Sequence, residues 1–187
     1  MEININQKKI SIGDKYKIFI DGQQSYAAST KLFRLLAEIE LFEEGINRPK
    51  YTLYKNWAWF NTSYDLKSFD SNVFEFRTKS FWKNHYECRV GPDLYEIFGH
   101  SGRKYSVFKN DKQIAWWSKS MVTWFEGDNY KIIADQNCDY ELIISFCLII
   151  DNAFSNSNND SNSIINIDLG TILLQARKFD TTWQPSY

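Results

Sequence analysis

The stretch from Leu142 to Ile150 reads LIISFCLII, with Asp139 and Glu141 before it and Asp151 and Asn152 after it. It is far too short to cross a bilayer, which takes about 20 apolar residues in a helix. Wound as a helix it is apolar on every side, with Ser145 its only interruption, so protein must surround it. Asp139 and Glu141 suit the N-terminus of such a helix through capping and the macrodipole, and Asn152 suits its C-terminal end. The alternative is a central strand buried on both faces, which the β-branched Ile143, Ile144, Ile149 and Ile150 would fit. The helix is the expectation, because a helix plugging a closed sheet also removes the sheet's exposed edges.

The rest of the chain supplies material for that sheet. An aromatic, polar, aliphatic triplet recurs at Tyr16 to Ile18, Tyr51 to Leu53, Tyr64 to Leu66, Tyr95 to Ile97, Tyr105 to Val107 and Tyr130 to Ile132. Each is the period-two signature of a half-buried strand. Further pairs fit the same alternation: Phe74 with Phe76, Tyr86 with Cys88, Ile114 with Trp116, and Val122 with Trp124. Turn-forming clusters separate them, among them Asp21-Gly22, Gly91-Pro92-Asp93, Ser101-Gly102 and Asn110-Asp111. With aromatics at 17% of the residues, the pattern predicts an all-β meander closing into a barrel or sandwich, with residues 15–154 sharing one core.

Two segments are less decided. LFRLLAEIELFE, Leu32 to Glu43, carries both a helical stripe and a strand face. After Phe154, the run SNSNNDSNS is too polar to bury, and the tail that follows regains an alternation suited to one further strand pair. The formal net charge of −1, from 22 basic and 23 acidic residues, gives no global field for nucleic acid. Three cysteines and an opening, MEININQKKISIGDKY, without an apolar signal-peptide core point to a cytoplasmic protein.

The order of a strand meander, then Asn129 to Asp135 (NYKIIAD), then an apolar helix ending Cys147-Leu148-Ile149-Ile150-Asp151, resembles the tubby C-terminal-like superfamily, which includes the phospholipid scramblases and the LURP-one-related proteins. The resemblance covers roughly Lys31 to Phe154. It implies a closed antiparallel barrel of about 10–12 strands around a central hydrophobic helix at about residues 139–152, and it implies strand for the ambiguous segment from about Arg34 onward. Residues 1–154 are then the barrel domain, and 155–187 a polar loop and C-terminal extension packed on it. The proline-rich arm, palmitoylated cysteine segment and acidic calcium loop of scramblases have no counterpart, so scrambling is not implied.

Candidate chemistry is sparse. His85 and Cys88 stand three apart on a predicted strand, facing opposite ways, which is poor geometry for a shared metal. Cys138 and Cys147 are expected to be inert. His100 beside Ser101 lacks any orienting acid, and Gly99 and Gly102 read as hairpin-turn residues. Of Trp116 and Trp117, one is expected to face outward beneath the tail.

The remaining feature is a basic, aromatic surface comprising Arg77, Lys79, Trp82 and Lys83, then Arg103, Lys104, Lys109 and Lys112 in the following hairpins. Tubby-type domains include phosphoinositide binders, so the resemblance implies that these loops could contact an anionic membrane surface. The expectation is a non-enzymatic binding or scaffold protein, contacting anionic lipid head groups or a protein partner, with no cofactor, no metal, no nucleic acid and no transmembrane segment. The alternatives are a small hydrolase or nucleotide-binding enzyme with a loop-built site, gathering His100 or His85 with Asp93, Glu96 or Asp111, and a purely structural or oligomer-forming protein.

Overall fold

The computed structural model describes residues 1–8, 13–31, 36–56, 63–80, 84–120, 129–157 and 176–186. The strands follow one another as β1 (Glu2–Lys8), β2 (Lys15–Ile20), β3 (Gln23–Lys31), β4 (Glu38–Glu43), β5 (Pro49–Lys55), β6 (Ser63–Ser68), β7 (Val73–Ser80), β8 (His85–Val90), β9 (Asp93–His100), β10 (Lys104–Lys109), β11 (Lys112–Ser120) and β12 (Asn129–Ala134), and the helix α1 (Tyr140–Ser157) comes last. Each strand pairs antiparallel with its neighbours in sequence, and β1 pairs with β12 to close the barrel, with Ile3 opposite Ile132 and Ile5 opposite Tyr130. Every predicted triplet lies in a strand, and its aliphatic member is fully buried in all six.

Those inward side chains enclose α1. Ile143, Ile144, Phe146 and Ile149 have no exposed surface, and Leu142, Cys147, Leu148 and Ile150 are at most 3% exposed. The Phe146 ring packs on Phe76 and Tyr95 at centroid distances of 5.6 and 5.8 Å. The helix is therefore central and the strand alternative is set aside. Ser145 is tolerated because its hydroxyl donates to the Glu141 carbonyl one turn back, at 2.8 Å. The helix runs past Asn152, expected at its end, to Ser157.

Hairpin turns alternate between the two ends of an antiparallel barrel. The β2–β3, β4–β5, β6–β7, β8–β9 and β10–β11 turns share the end where α1 enters. The β1–β2, β3–β4, β5–β6, β7–β8, β9–β10 and β11–β12 connections share the far end. The polar ends of α1 are met by tyrosine hydroxyls from the wall. At the entry end Tyr26 donates to Glu141 at 3.0 Å, and Tyr95 donates to Asp139. At the far end Asp151, 3% exposed, accepts from Tyr16 at 3.0 Å and from Tyr130, and faces the Lys119 ammonium at 3.3 Å. Tyr64 donates to Asn152 at 2.7 Å. Burial, first of all, pushes the Tyr16 and Tyr64 hydroxyls well above their usual range, so they remain protonated donors.

One expectation changes and two fall partly outside the described residues. The ambiguous segment is strand over Glu38–Glu43, paired with β3 from Lys31 opposite Glu38, while its residues 32–35 lie outside the described residues. The strand pair expected in the tail falls largely on residues 158–175, outside the described residues; residues 176–186 hold no strand. Gly99 serves no turn: it lies within β9, where an added Cβ would stand 3.0 Å from the Asn84 Cβ and closer still to the Asn84 amide group. Asn84 is held there by its left-handed φ of 48°, by its carbonyl accepting from Gly99 N at 2.8 Å, and by Tyr86 donating to Oδ1 at 2.6 Å. Gly102, at φ 75°, does serve the turn. The pair Val122 and Trp124 lies outside the described residues.

Asp151→Ala removes the acceptor of two buried hydroxyls and the partner of Lys119, and is expected to lower unfolding free energy by about 3–5 kcal/mol in urea titrations. Gly99→Ala is expected to cost about 1–3 kcal/mol through overpacking, with Asn84→Ala on the same background recovering part of the loss.

Candidate functional site

With the lumen filled by α1, the surface that departs most from ordinary strand alternation is the outer wall from β7 to β11. Register places its outward side chains in rows. One row runs Arg77, Glu87, Glu96, Phe108, Gln113; the next runs His85, Phe98, Ser106, Trp116; the third pairs His100, Lys104 and Ser118. Charge dominates the β7–β8 side and aromatic rings dominate β9–β11. Phe98, His100, Ser106 and Phe108 are only 5%, 7%, 1% and 8% exposed although they point away from the lumen. What covers them is the C-terminal segment. The Arg177 guanidinium lies 4.0 Å from the Phe108 ring and 5.1 Å from Phe98, and the Phe179 ring meets His100 at 5.1 Å and Trp116 at 5.7 Å. Trp117 faces the lumen at 1% exposure, so the two tryptophans divide between the two faces as expected.

The two histidines sit on this wall. His85 stacks on Phe98 at 4.3 Å, and its Nε2 is 3.0 Å from Glu96. The Nε2 of His100 is 2.7 Å from the Ser106 hydroxyl, rather than pairing with Ser101. Of the groups a loop-built hydrolase would gather, His85 does meet Glu96. Asp93 is engaged by Lys109 and Asn110, however, and Asp111 by Arg177. Burial pushes the His100 imidazole down to about 4 against the opposing hydrogen bond with the Arg177 backbone, with the Lys104 charge adding to the lowering, and burial likewise lowers His85 against the opposing pull of Glu96. Cys88 is buried, and burial pushes its thiol up to about 12; Cys138 is raised to about 11 for the same reason, so neither is an activated nucleophile. Among the described residues no cluster of three metal-ligating side chains occurs.

The basic residues singled out in the sequence separate into three groups. Arg77 and Lys79 converge on Glu87 at 2.6 and 2.9 Å. Burial alone would raise that carboxyl, and the two cations outweigh it and hold it below its usual range. Lys109 and Lys112 flank the β10–β11 turn at the entry end and face acids: Lys109 lies 3.0 Å from Asp93 and 3.1 Å from Asp139, and Lys112 lies 4.0 Å from Asp135. Arg103 and Lys104 stand at the far end on the β9–β10 turn. Lys104 lies over the Phe179 ring at 5.1 Å, and neither makes an ion pair among the described residues. Lys83, in the β7–β8 connection, lies outside the described residues, as does Trp82. The loops thus do not form one continuous patch; the far-end cations stand apart from Lys109 and Lys112.

The aromatic outer wall was not singled out in the sequence. Its signal is the loss of alternation in Glu96-Ile97-Phe98-Gly99-His100 and Ser106-Val107-Phe108, where a strand carries bulky residues on both faces and therefore needs a cover on each.

A twelve-strand closed meander filled by a C-terminal helix is the architecture the resemblance implied, and the LURP-one-related family model matches residues 1–151. The chain belongs to the LURP-one-related family. Through it the chain joins the tubby-like superfamily. No curated protein and no solved structure matches the chain. The family match reaches back through β1 and ends within α1, so the Arg177 to Ser186 segment lies outside it. No helix among the described residues is long and apolar enough to cross a membrane.

Both histidines bind protons more weakly in the folded chain than at their ordinary value of 6.5. Protons therefore favour the unfolded state, and stability is expected to fall as pH drops from about 6.5 toward about 4 for His100. Phe179→Ala uncovers His100, and its imidazole pKa is expected to move from about 4 toward 6.5 in an NMR titration. An unchanged value would show that the tail does not bury it.

Proposed function

We propose that this LURP-one-related barrel is a non-enzymatic binding module of the cytoplasm that contacts anionic lipid head groups through its far end, with Arg103 and Lys104 as the principal cations and Lys83 as a contributor. One observation carries the reading: among the described residues Arg103 and Lys104 have no acid partner, whereas Arg77, Lys79, Lys109 and Lys112 each face a carboxylate. A cation already paired with a carboxylate has little charge left for a phosphate. A left-handed φ of 57° at Arg103 holds the turn that presents it, and the residue is exposed. Each basic residue near an anionic surface contributes about 1 kcal/mol, so three of them give roughly 10²-fold enrichment at the surface, screened by salt.

A second reading, contact with a protein partner, is favoured at the entry end. There Ile46, Phe69 and Val73 are 45%, 49% and 58% exposed, and the Arg48 guanidinium lies 3.7 Å over the Phe69 ring. Exposed aromatic and arginine side chains of this kind are enriched in interface hot spots.

Sedimentation with vesicles of mixed neutral and anionic lipid separates the two. The wild-type chain is expected to sediment in low salt and to be released by raised salt. Arg103→Glu with Lys104→Glu is expected to reduce binding at least tenfold, while Lys109→Glu with Lys112→Glu changes it by less than twofold. A wild-type chain that never sediments removes the lipid reading, and Phe69→Ala is then the first variant to compare in a search for a protein partner.

A further inference from the structure

We propose that the outer face of β9, β10 and β11 is a docking site for an extended peptide carrying an arginine two residues ahead of an aromatic ring, and that the chain's own C-terminal segment fills this site in cis. This inference stands on other observations than the lipid reading does, with Lys104 common to both. Arg177 and Phe179 are two apart, and side chains at that spacing reach one face only from an extended backbone. The guanidinium covers Phe98 and Phe108 and reaches Asp111 at 3.2 Å, and the Phe179 ring is held among His100, Trp116 and the Lys104 ammonium. Lys178, between them, is exposed. The site thus supplies two rings and a carboxylate for the cation, and a ring, an indole and an ammonium for the aromatic. It does so through side chains, because a closed barrel has no edge to which a peptide could add as a strand.

The cis occupant is held lightly. No residue from 176 to 186 is buried, and the Asp111 side chain that pairs Arg177 is 84% exposed, where an ion pair contributes little. Farther along, the segment is tied by Ser186, whose N–H donates to Asp135 at 2.6 Å and whose carbonyl accepts from Gln136 at 3.2 Å. Covalent connection to α1 raises the segment's local concentration at the site. A free peptide of the same chemistry would compete with it there.

The test uses the full chain carrying Arg177→Ala and Phe179→Ala, titrated into a fluorescein-labelled peptide of sequence ARKFDTTWQPS and read by anisotropy. The tail-disabled chain is expected to bind the peptide at least tenfold more tightly than the wild-type chain does. Adding Asp111→Asn is expected to weaken that binding severalfold, and a peptide with alanine at the arginine and phenylalanine positions is expected not to bind. Equal affinity for wild-type and tail-disabled chains, or no binding to either, overturns the proposal. A wild-type chain that dimerises with concentration, and loses the dimer with the double substitution, overturns the cis occupancy. Should the double variant fail to fold, Arg177→Ala alone, at a side chain 35% exposed, gives the same comparison.

Discussion

A helix with no polar side can exist in water only if something encloses it completely, and nearly every other feature of this chain answers to α1. Twelve short strands supply the enclosure, each giving alternate residues to the helix, and closure by β1 against β12 leaves no open seam. The acidic and amide residues that punctuate the helix could not be left bare within the barrel, so the wall meets them with tyrosines. A tyrosine suits both demands, since its ring packs as part of the lining while its hydroxyl reaches the helix terminus. Tyr16, Tyr64 and Tyr130 all lie at or near the far-end starts of their strands, and Tyr26 and Tyr95 near the entry-end starts of theirs. The recurring triplet is thus more than a strand signature: at Tyr16, Tyr64, Tyr95 and Tyr130 its aromatic member also bonds a polar group at an end of the helix.

Much of the barrel was legible because period and chemistry agreed. The triplets read as strands, the uniform apolar run read as an enclosed helix, and the two readings required each other. What stayed hidden was set by partners distant in sequence. Ile3 and Ile5 form a short alternation at the very start of the chain, and only pairing with β12 gives it meaning. Gly99 looked like turn punctuation beside Gly102, and nothing local shows that the Asn84 side chain occupies the space above it. The start of β4 depended on where β3 stopped pairing, a fact of register that periodicity does not carry.

The surface was less legible than the core. Seven basic residues in neighbouring hairpins suggested one patch, but charge counts say nothing about which carboxylates stand opposite. Glu87, Asp93, Asp139 and Asp135 engage four of the seven, and alternation of the turns sends Lys109 and Lys112 to the other end from Arg103 and Lys104. Two-faced bulk along β9 and β10 was visible in the residues and marked a covered wall. The cover itself, Arg177 and Phe179, is reached across a polar stretch whose composition does not reveal where it leads.

Closure through β1 and β12 also orders events in time. Glu2 must find Ile133, so the seam joins residues almost the whole length of the barrel apart in sequence, and the helix that fills the barrel is made later still. During synthesis the meander emerges as an open, curved sheet whose inner face and both edges are bare until the last turn of α1 leaves the ribosome. A topology so rich in distant contacts folds slowly and passes through aggregation-prone species. The apolar helix that makes the finished barrel stable is therefore also what the growing chain lacks longest, and this protein's most vulnerable moment is its own translation.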